Sequence, residues 1–103
     1  MTFVVTAVWT AEKGNEDAVA AAVTAMVEPS RAEPGIILYQ PHIDPDDPCR
    51  FFFYEQYLDR SAYEAHGASK HFQEYGFGTA IPLLVSRERQ FFETWEPTQS
   101  DQA

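Results

Sequence analysis

The sequence predicts an α+β fold: a four-stranded antiparallel sheet with two helices in a split β-α-β pattern. Three observations predict it. A chain of 103 residues is long enough for one domain and not two. Segments rich in β-branched and aromatic residues alternate with helical ones in the order strand, helix, strand, strand, helix, strand. The second and third strands are separated by a short Asp-Pro turn, which pairs them as a hairpin.

Each element has its own justification. Thr2 to Thr10 carries Val, Phe, Thr and Trp, residues that suit a pleated strand. Phe3, Val5, Ala7 and Trp9 share one face and Val4, Thr6 and Val8 the other, and neither face is strongly polar. Lys13-Gly14-Asn15 breaks the strand, with Asn15 as N-cap and Glu16 and Asp17 in the acidic first turn. Ala18 to Val27 is helical, with Val19, Ala22, Val23 and Met26 as a narrow apolar stripe. Pro29 has no N–H for the ladder, so the helix is expected to end or kink near Glu28. Ser30 to Gly35 connects to a second strand, Ile36 to Ile43.

Asp44-Pro45-Asp46-Asp47-Pro48 is the turn, because short Asp side chains and fixed proline angles favour one. Arg50 to Leu58 is the third and most aromatic strand. Asp59 caps a short helix from Ser61 to His66, Gly67 interrupts it, and Ser69 starts a further helical stretch to Phe77. Gly76, Gly78 and Pro82 are expected to loosen the chain before a fourth strand, Arg87 to Trp95. Residues 1–96 form the domain, and residues 97–103 a polar tail.

Charge and composition exclude whole classes of function. Sixteen acidic against seven basic residues give a net charge of -9, which repels phosphate backbones and anionic lipid. Neither a nucleic acid nor a membrane is an expected partner. One cysteine, Cys49, permits no intramolecular disulfide and no cysteine-based zinc site. The chain shows no secretory signal and no apolar run of membrane-spanning length, so a soluble cytoplasmic protein is expected. The eight Phe, five Tyr and two Trp are more rings than a thin core needs. Helices cover one sheet face, yet the first and third strands are apolar on both. The uncovered face calls for a partner, and the economical one is a second copy, sheet against sheet, in a homodimer.

Certain motifs go further. Ser30-Arg31-Ala32-Glu33-Pro34-Gly35 with Tyr39, then Phe53-Tyr54-Glu55-Gln56-Tyr57, then Ala62-Tyr63-Glu64-Ala65-His66 and Ser69-x-His71-Phe72 resemble the antibiotic biosynthesis monooxygenase domain family. The resemblance is to its small quinol-monooxygenase-like members and runs from about Phe3 to Trp95. It implies a ferredoxin-like domain that pairs into a dimeric α+β barrel. It also implies several chemistries on one scaffold: oxidation of quinols, polycyclic phenols or anthrones without flavin or metal, isomerisation of small phosphorylated sugars, and haem binding or degradation. Glu55, His66 and the His71-Phe72 pair are the positions the resemblance singles out.

An oxygenase without cofactor needs a flat apolar pocket, a base and groups that position substrate oxygens. His66 and His71 are the candidate bases, because imidazole titrates near neutral pH. Five residues apart on one helix, they would point about 140° from each other and would not share a face as a metal-binding pair does. A metal site from His42, His66 and His71 has no motif spacing, and no metal or other cofactor is expected. Glu55 lies mid-strand on the face of Phe51, Phe53 and Tyr57. It either orients a histidine or substrate hydroxyl, or pairs with Arg31, Arg87 or Arg89.

Trp9, Tyr39, Phe53, Tyr57 and Phe72 are candidate ring-binding walls, with core or dimer interface as the plainer role. Arg31 pairs either with Glu33 or with a ligand anion. Cys49 follows acidic residues that disfavour its thiolate, and the Asp44 to Asp47 cluster lacks a full calcium loop. The expected function is cofactor-independent monooxygenation of a quinol or related polyphenol by molecular oxygen. An isomerase on the same scaffold and a non-catalytic dimeric ligand binder or stress-related module are the alternatives.

Overall fold

Because both faces of the first strand are apolar, it suits the middle of a sheet, and it lies there. In the computed structural model, which describes residues 1–97, β1 (Phe3–Ala11) is flanked by β3 (Asp47–Tyr57) and β4 (Leu84–Glu93), with β2 (Ile36–Asp44) outside β3. All neighbours are antiparallel, and the strand order is β2-β3-β1-β4. Helix α1 (Glu16–Arg31), helix α2 (Arg60–Ala68), a π-helix (Phe72–Ala80) and one turn of 3₁₀-helix (Ile81–Leu83) complete the chain. This is the ferredoxin-like α+β architecture that the element order predicts. The expected tail, residues 97–103, lies outside the described residues except for Pro97. No helix among those described is long and apolar enough to cross a membrane.

Register decides which side chains meet. Trp9 opposes Phe51, Ala7 opposes Phe53, and Val5 opposes Glu55, so these groups share one sheet face. That face is buried under α1, whose Val19, Ala22, Val23 and Met26 pack against it as the helical spacing predicts. Burial of each of the two valines and of Met26 contributes about 1.5–3 kcal/mol, and of Ala22 less, before the cost of ordering the side chain is counted. On the other face, register aligns Val4 with Phe92 and Gln56, and Val8 with Phe52 and Glu88. Phe52 and Phe92 remain exposed there, as does Leu38.

Several boundaries differ from those expected, each for a physical reason. Helix α1 does not end near Glu28 but runs through Pro29 to Arg31. One missing N–H is tolerated because Met26 and Ser30, both fully buried, anchor the last turns. Asn15 precedes α1 without a side-chain cap bond; its Nδ2 donates instead to Glu12 Oε1 at 3.1 Å. Asp59 does cap α2, accepting from the Ala62 N–H at 2.9 Å, but the helix continues through Gly67 to Ala68.

Gly76 and Gly78 do not loosen the chain. Both lie within the π-helix, whose wide turns show in the Ile81 N–H reaching Gly76 O and the Thr79 hydroxyl reaching Glu74 O. A Cβ on Gly76 would lie 3.2 Å from the Phe72 ring, so glycine allows that ring to fold back under the helix. Strand β4 starts at Leu84 and ends at Glu93, which leaves Trp95 outside it and exposed.

Candidate active site

The site begins with a loop acid. Glu33 follows the last turn of α1, where its N–H donates to Ser30 O at 3.0 Å and its carbonyl accepts from Ile36 N at 3.1 Å. Gly35 then passes so close to α2 that an added Cβ would fall 2.5 Å from the Ala62 Cβ. That contact sets the distance from the loop to α2. As a result His66, in the last turn of α2, donates from Nδ1–H to Glu33 Oε2 at 2.7 Å. His71, just before the π-helix, donates from Nε2–H to the same oxygen at 2.6 Å. On one continuous helix the two histidines would diverge. They converge because α2 stops at Ala68 and Ser69 turns the chain before the next helix begins.

This arrangement fixes tautomers. A carboxylate oxygen only accepts, so each neutral imidazole must carry its proton on the nitrogen facing Glu33. His66 is thereby left with its lone pair on Nε2. Its ring is 3% exposed and packs against Tyr39, Phe72 and Tyr57 at centroid distances of 5.4, 5.1 and 5.9 Å. Burial lowers its pKa below the ordinary 6.5, although the Glu33 contact pulls the other way.

The three donor atoms of Glu33, His66 and His71 lie within 4.8 Å of one another. At 2.6 and 2.7 Å they are hydrogen-bonded, closer than ligands surrounding a cation at about 2.1 Å would sit. His42 is not part of this group; its Nδ1 lies 3.2 Å from Phe52 O.

A cavity of about 240 Å³ opens beside His66. Trp9, Tyr39, Phe53 and Phe72 line it, together with Phe77, Tyr63, Glu55, Arg87 and Arg89. The Trp9 ring leans on Phe53 at 4.8 Å and on Phe72 at 6.4 Å, giving a tilted aromatic floor and wall. Val5 and Ala7 are the small residues beneath that leave the space open.

Glu55 faces this cavity and is 7% exposed. Its Oε1 accepts from the Tyr57 hydroxyl at 2.5 Å, and among the described residues no arginine forms an ion pair with it. Burial raises its pKa from 4.5 to about 7, against the lowering influence of the Tyr57 bond and of Arg87. Tyr57 itself is fully buried and does not line the cavity. Burial and the adjacent Glu55 push its phenol up.

Arg31 also lies away from the cavity: its Nε donates to Tyr39 O at 3.1 Å and its Nη2 to Gln40 Oε1 at 3.3 Å. It thus braces the β2 residue that carries the Tyr39 wall. Cys49 sits among Glu16 and Asp47, and burial and those charges raise its thiol pKa. The Asp44 carboxylate accepts from Asp46 N and pairs with Arg50 at 3.2 Å, as a turn residue does.

Glu33 was not among the sequence candidates. It stood inside the quoted Ser30 to Gly35 motif, but its nearest charge in sequence was Arg31, and only the fold brings the histidines to it. Phe77 and Tyr63 were likewise missed, since a ring that closes a cavity has the same sequence signature as one that fills a core.

The fold is thus a ferredoxin-like sheet with an aromatic cavity at its helix side and a hydrogen-bonded Glu33, His66 and His71 group in the wall. The comparisons give its family. The model of the antibiotic biosynthesis monooxygenase family matches residues 2–76. The chain belongs to that family. The solved structure of protein PA3566 from Pseudomonas aeruginosa is similar at 30% identity and a TM-score of 0.85, over 92% of this chain and 95% of that one. Protein SO0527 from Shewanella oneidensis is similar at 28% identity and a TM-score of 0.81, over 88% of each chain. Rv0793 from Mycobacterium tuberculosis shares the fold at 23% identity, with a TM-score of 0.85, over 96% of this chain and 100% of that one. A comparison with curated proteins finds no match.

Proposed function

We propose that the chain is a cofactor-independent monooxygenase that oxidises a quinol or a related small phenol with molecular oxygen. The observation that carries this reading is His66: its ring forms part of an aromatic cavity while its Nδ1 is committed to Glu33, leaving Nε2 as a poised base. The cavity, at about 240 Å³, suits one substituted ring better than a fused polycycle. Membership of the family supports monooxygenation as the reaction class.

In this reading His66 Nε2 takes the phenolic proton, and Glu33 stabilises the resulting imidazolium with His71 as its second donor. The phenolate passes one electron to dioxygen, giving a ring radical and superoxide. These recombine at a ring carbon to form a peroxide. Loss of the proton on that carbon breaks the O–O bond and leaves a ring carbonyl. The balance is quinol plus O₂ to hydroxyquinone plus water. Glu55, protonated or not near neutral pH, positions a substrate hydroxyl. Trp9, Tyr39, Phe53 and Phe72 hold the ring.

The working unit in this proposal is a homodimer in the cytoplasm, with Leu38, Phe52 and Phe92 of the open sheet face covered by a second copy. The test is oxygen uptake by metal-stripped protein across a panel of quinols. The expected result is uptake that resists chelators and falls to the rate of autoxidation in the His66→Ala/His71→Ala variant. Uptake no faster than in that variant overturns the reading and leaves the isomerase or binding-module chemistry to be tested on the same scaffold.

A further inference from the structure

Two cations in the cavity are left unanswered by the rest of an acidic chain. Arg87 and Arg89 are next-nearest neighbours on β4, opposite Trp9 and Ala7 in the register with β1, and both line the cavity. With 16 acidic residues for seven basic ones, a free carboxylate should be easy to find. Among the described residues, however, neither guanidinium forms an ion pair. Arg87 instead lies near the rings of Phe77, Trp9 and Phe72, 5.5, 5.8 and 5.9 Å from their centroids. Its Nε is buried and has no hydrogen-bond partner. Arg89 donates from Nη1 to the Tyr63 hydroxyl at 2.7 Å, a neutral acceptor that leaves its charge uncompensated. Arg89 is exposed, but Arg87 is only partly so, and taking a guanidinium even partly out of water without a counter-ion is costly, so the pair is suited to an anion that arrives with the ligand. Glu55, which shares the cavity, keeps its proton to about pH 7 and so answers only part of this charge at neutral pH.

We propose that the ligand of this cavity is an aromatic acid: a single hydroxylated ring whose carboxylate is held by Arg87, with Arg89 as the second donor. The inference rests on the reading of the cavity as a phenol site and names its substrate class. The ring lies against Trp9 and Phe72, the carboxylate faces β4, and the ring hydroxyl not adjacent to the carboxylate faces His66. Arg87 is then the group that selects acids over neutral quinols.

The test is calorimetric titration without oxygen, so that binding is read apart from turnover. The probes are a dihydroxybenzoate whose hydroxyls lie para to each other, and hydroquinone, the same ring without the carboxylate. The expected result is that the acid binds the unmodified protein at least ~10-fold more tightly, and that Arg87→Gln brings the two affinities together. Arg89→Gln should narrow the gap by less. Hydroquinone binding as tightly as the acid overturns the proposal, and so does binding of neither probe. That comparison needs no variant and therefore does not depend on one folding. A preference for the acid that survives in a folded Arg87→Gln variant overturns the assignment to Arg87. An acid that binds with this preference but supports no oxygen uptake keeps the anchor and removes the oxygenase reading, so the two failures are distinct.

Discussion

His66 and Glu55 are both buried titratable groups, yet their burial acts in opposite directions on pH. Burial lowers the His66 pKa, so the imidazole stays neutral, and able to act as a base, to a lower pH than an exposed histidine would. If His66 is the base, kcat/KM should rise with pH through an inflection below the ordinary 6.5, and His66→Ala should reduce kcat by ~10²-fold or more. A pH–rate profile with its inflection above that value would contradict the assignment. Glu33→Gln tests the other half of the relay. With the shared anion gone, kcat should fall by ~10-fold or more, while the affinity for a bound phenol, read by titration without oxygen, changes little.

For Glu55 the sign is reversed. Its carboxyl ionises near 4.5 when unfolded and near 7 when folded, so between those values the unfolded chain gives up its proton first. Stability is therefore lost as pH rises through that window, by up to about 3 kcal/mol once pH exceeds 7. Glu55→Gln removes the titration but retains an acceptor for the Tyr57 hydroxyl. Urea unfolding in mildly acid and mildly alkaline buffer should show the variant losing less stability than the parent between the two. An equal loss would place the Glu55 pKa near its ordinary value. His66 contributes the opposite slope on its own acid side, which cancels when parent and variant are compared.

At the scale of elements, what could be read from sequence was what depends on local pattern. The apolar stripe of α1, the two-faced β1, the hairpin of β2 and β3, and the Asp59 cap are all local and all present. What could not be read was long-range. The run through Pro29 accompanies burial of Met26 and Ser30, and within the π-helix Gly76 lies against the Phe72 ring. Glu33 meets His66 and His71 only because Gly35 touches Ala62. That contact gives an element-level prediction. Gly35→Ala must push α2 away from the loop, and should destabilise by ~1–3 kcal/mol in chemical unfolding and slow turnover together. Loss of stability with unchanged kcat would show that the relay does not depend on this spacing. Phe53, 1% exposed and shared between core and cavity, should cost ~3–5 kcal/mol as Phe53→Ala.

At the scale of the whole molecule, the decisive feature is that the helices cover one sheet face only. Phe52, Leu38 and Phe92 on the open face are 37, 40 and 50% exposed. Large apolar groups gathered on one face mark an interaction surface. Light scattering at micromolar concentration should give the mass of a dimer, and Phe52→Glu, which puts a charge at the centre of that face, should give a monomer of unchanged far-ultraviolet dichroism. A parent protein that is already monomeric would remove the second copy from the proposed function.

The same strand order leaves two open edges, and an open edge is a template on which further strands can grow into ribbons and aggregates. On β2 the edge contains Pro41, which has no N–H to offer an incoming strand. On β4 it runs Ser86-Arg87-Glu88-Arg89-Gln90, alternating charges that an added strand would have to desolvate. A chain with so apolar an open face is thus guarded at its sides. Strands cannot readily add at either edge, so the protein is expected to be concentrated without polymerising edge to edge.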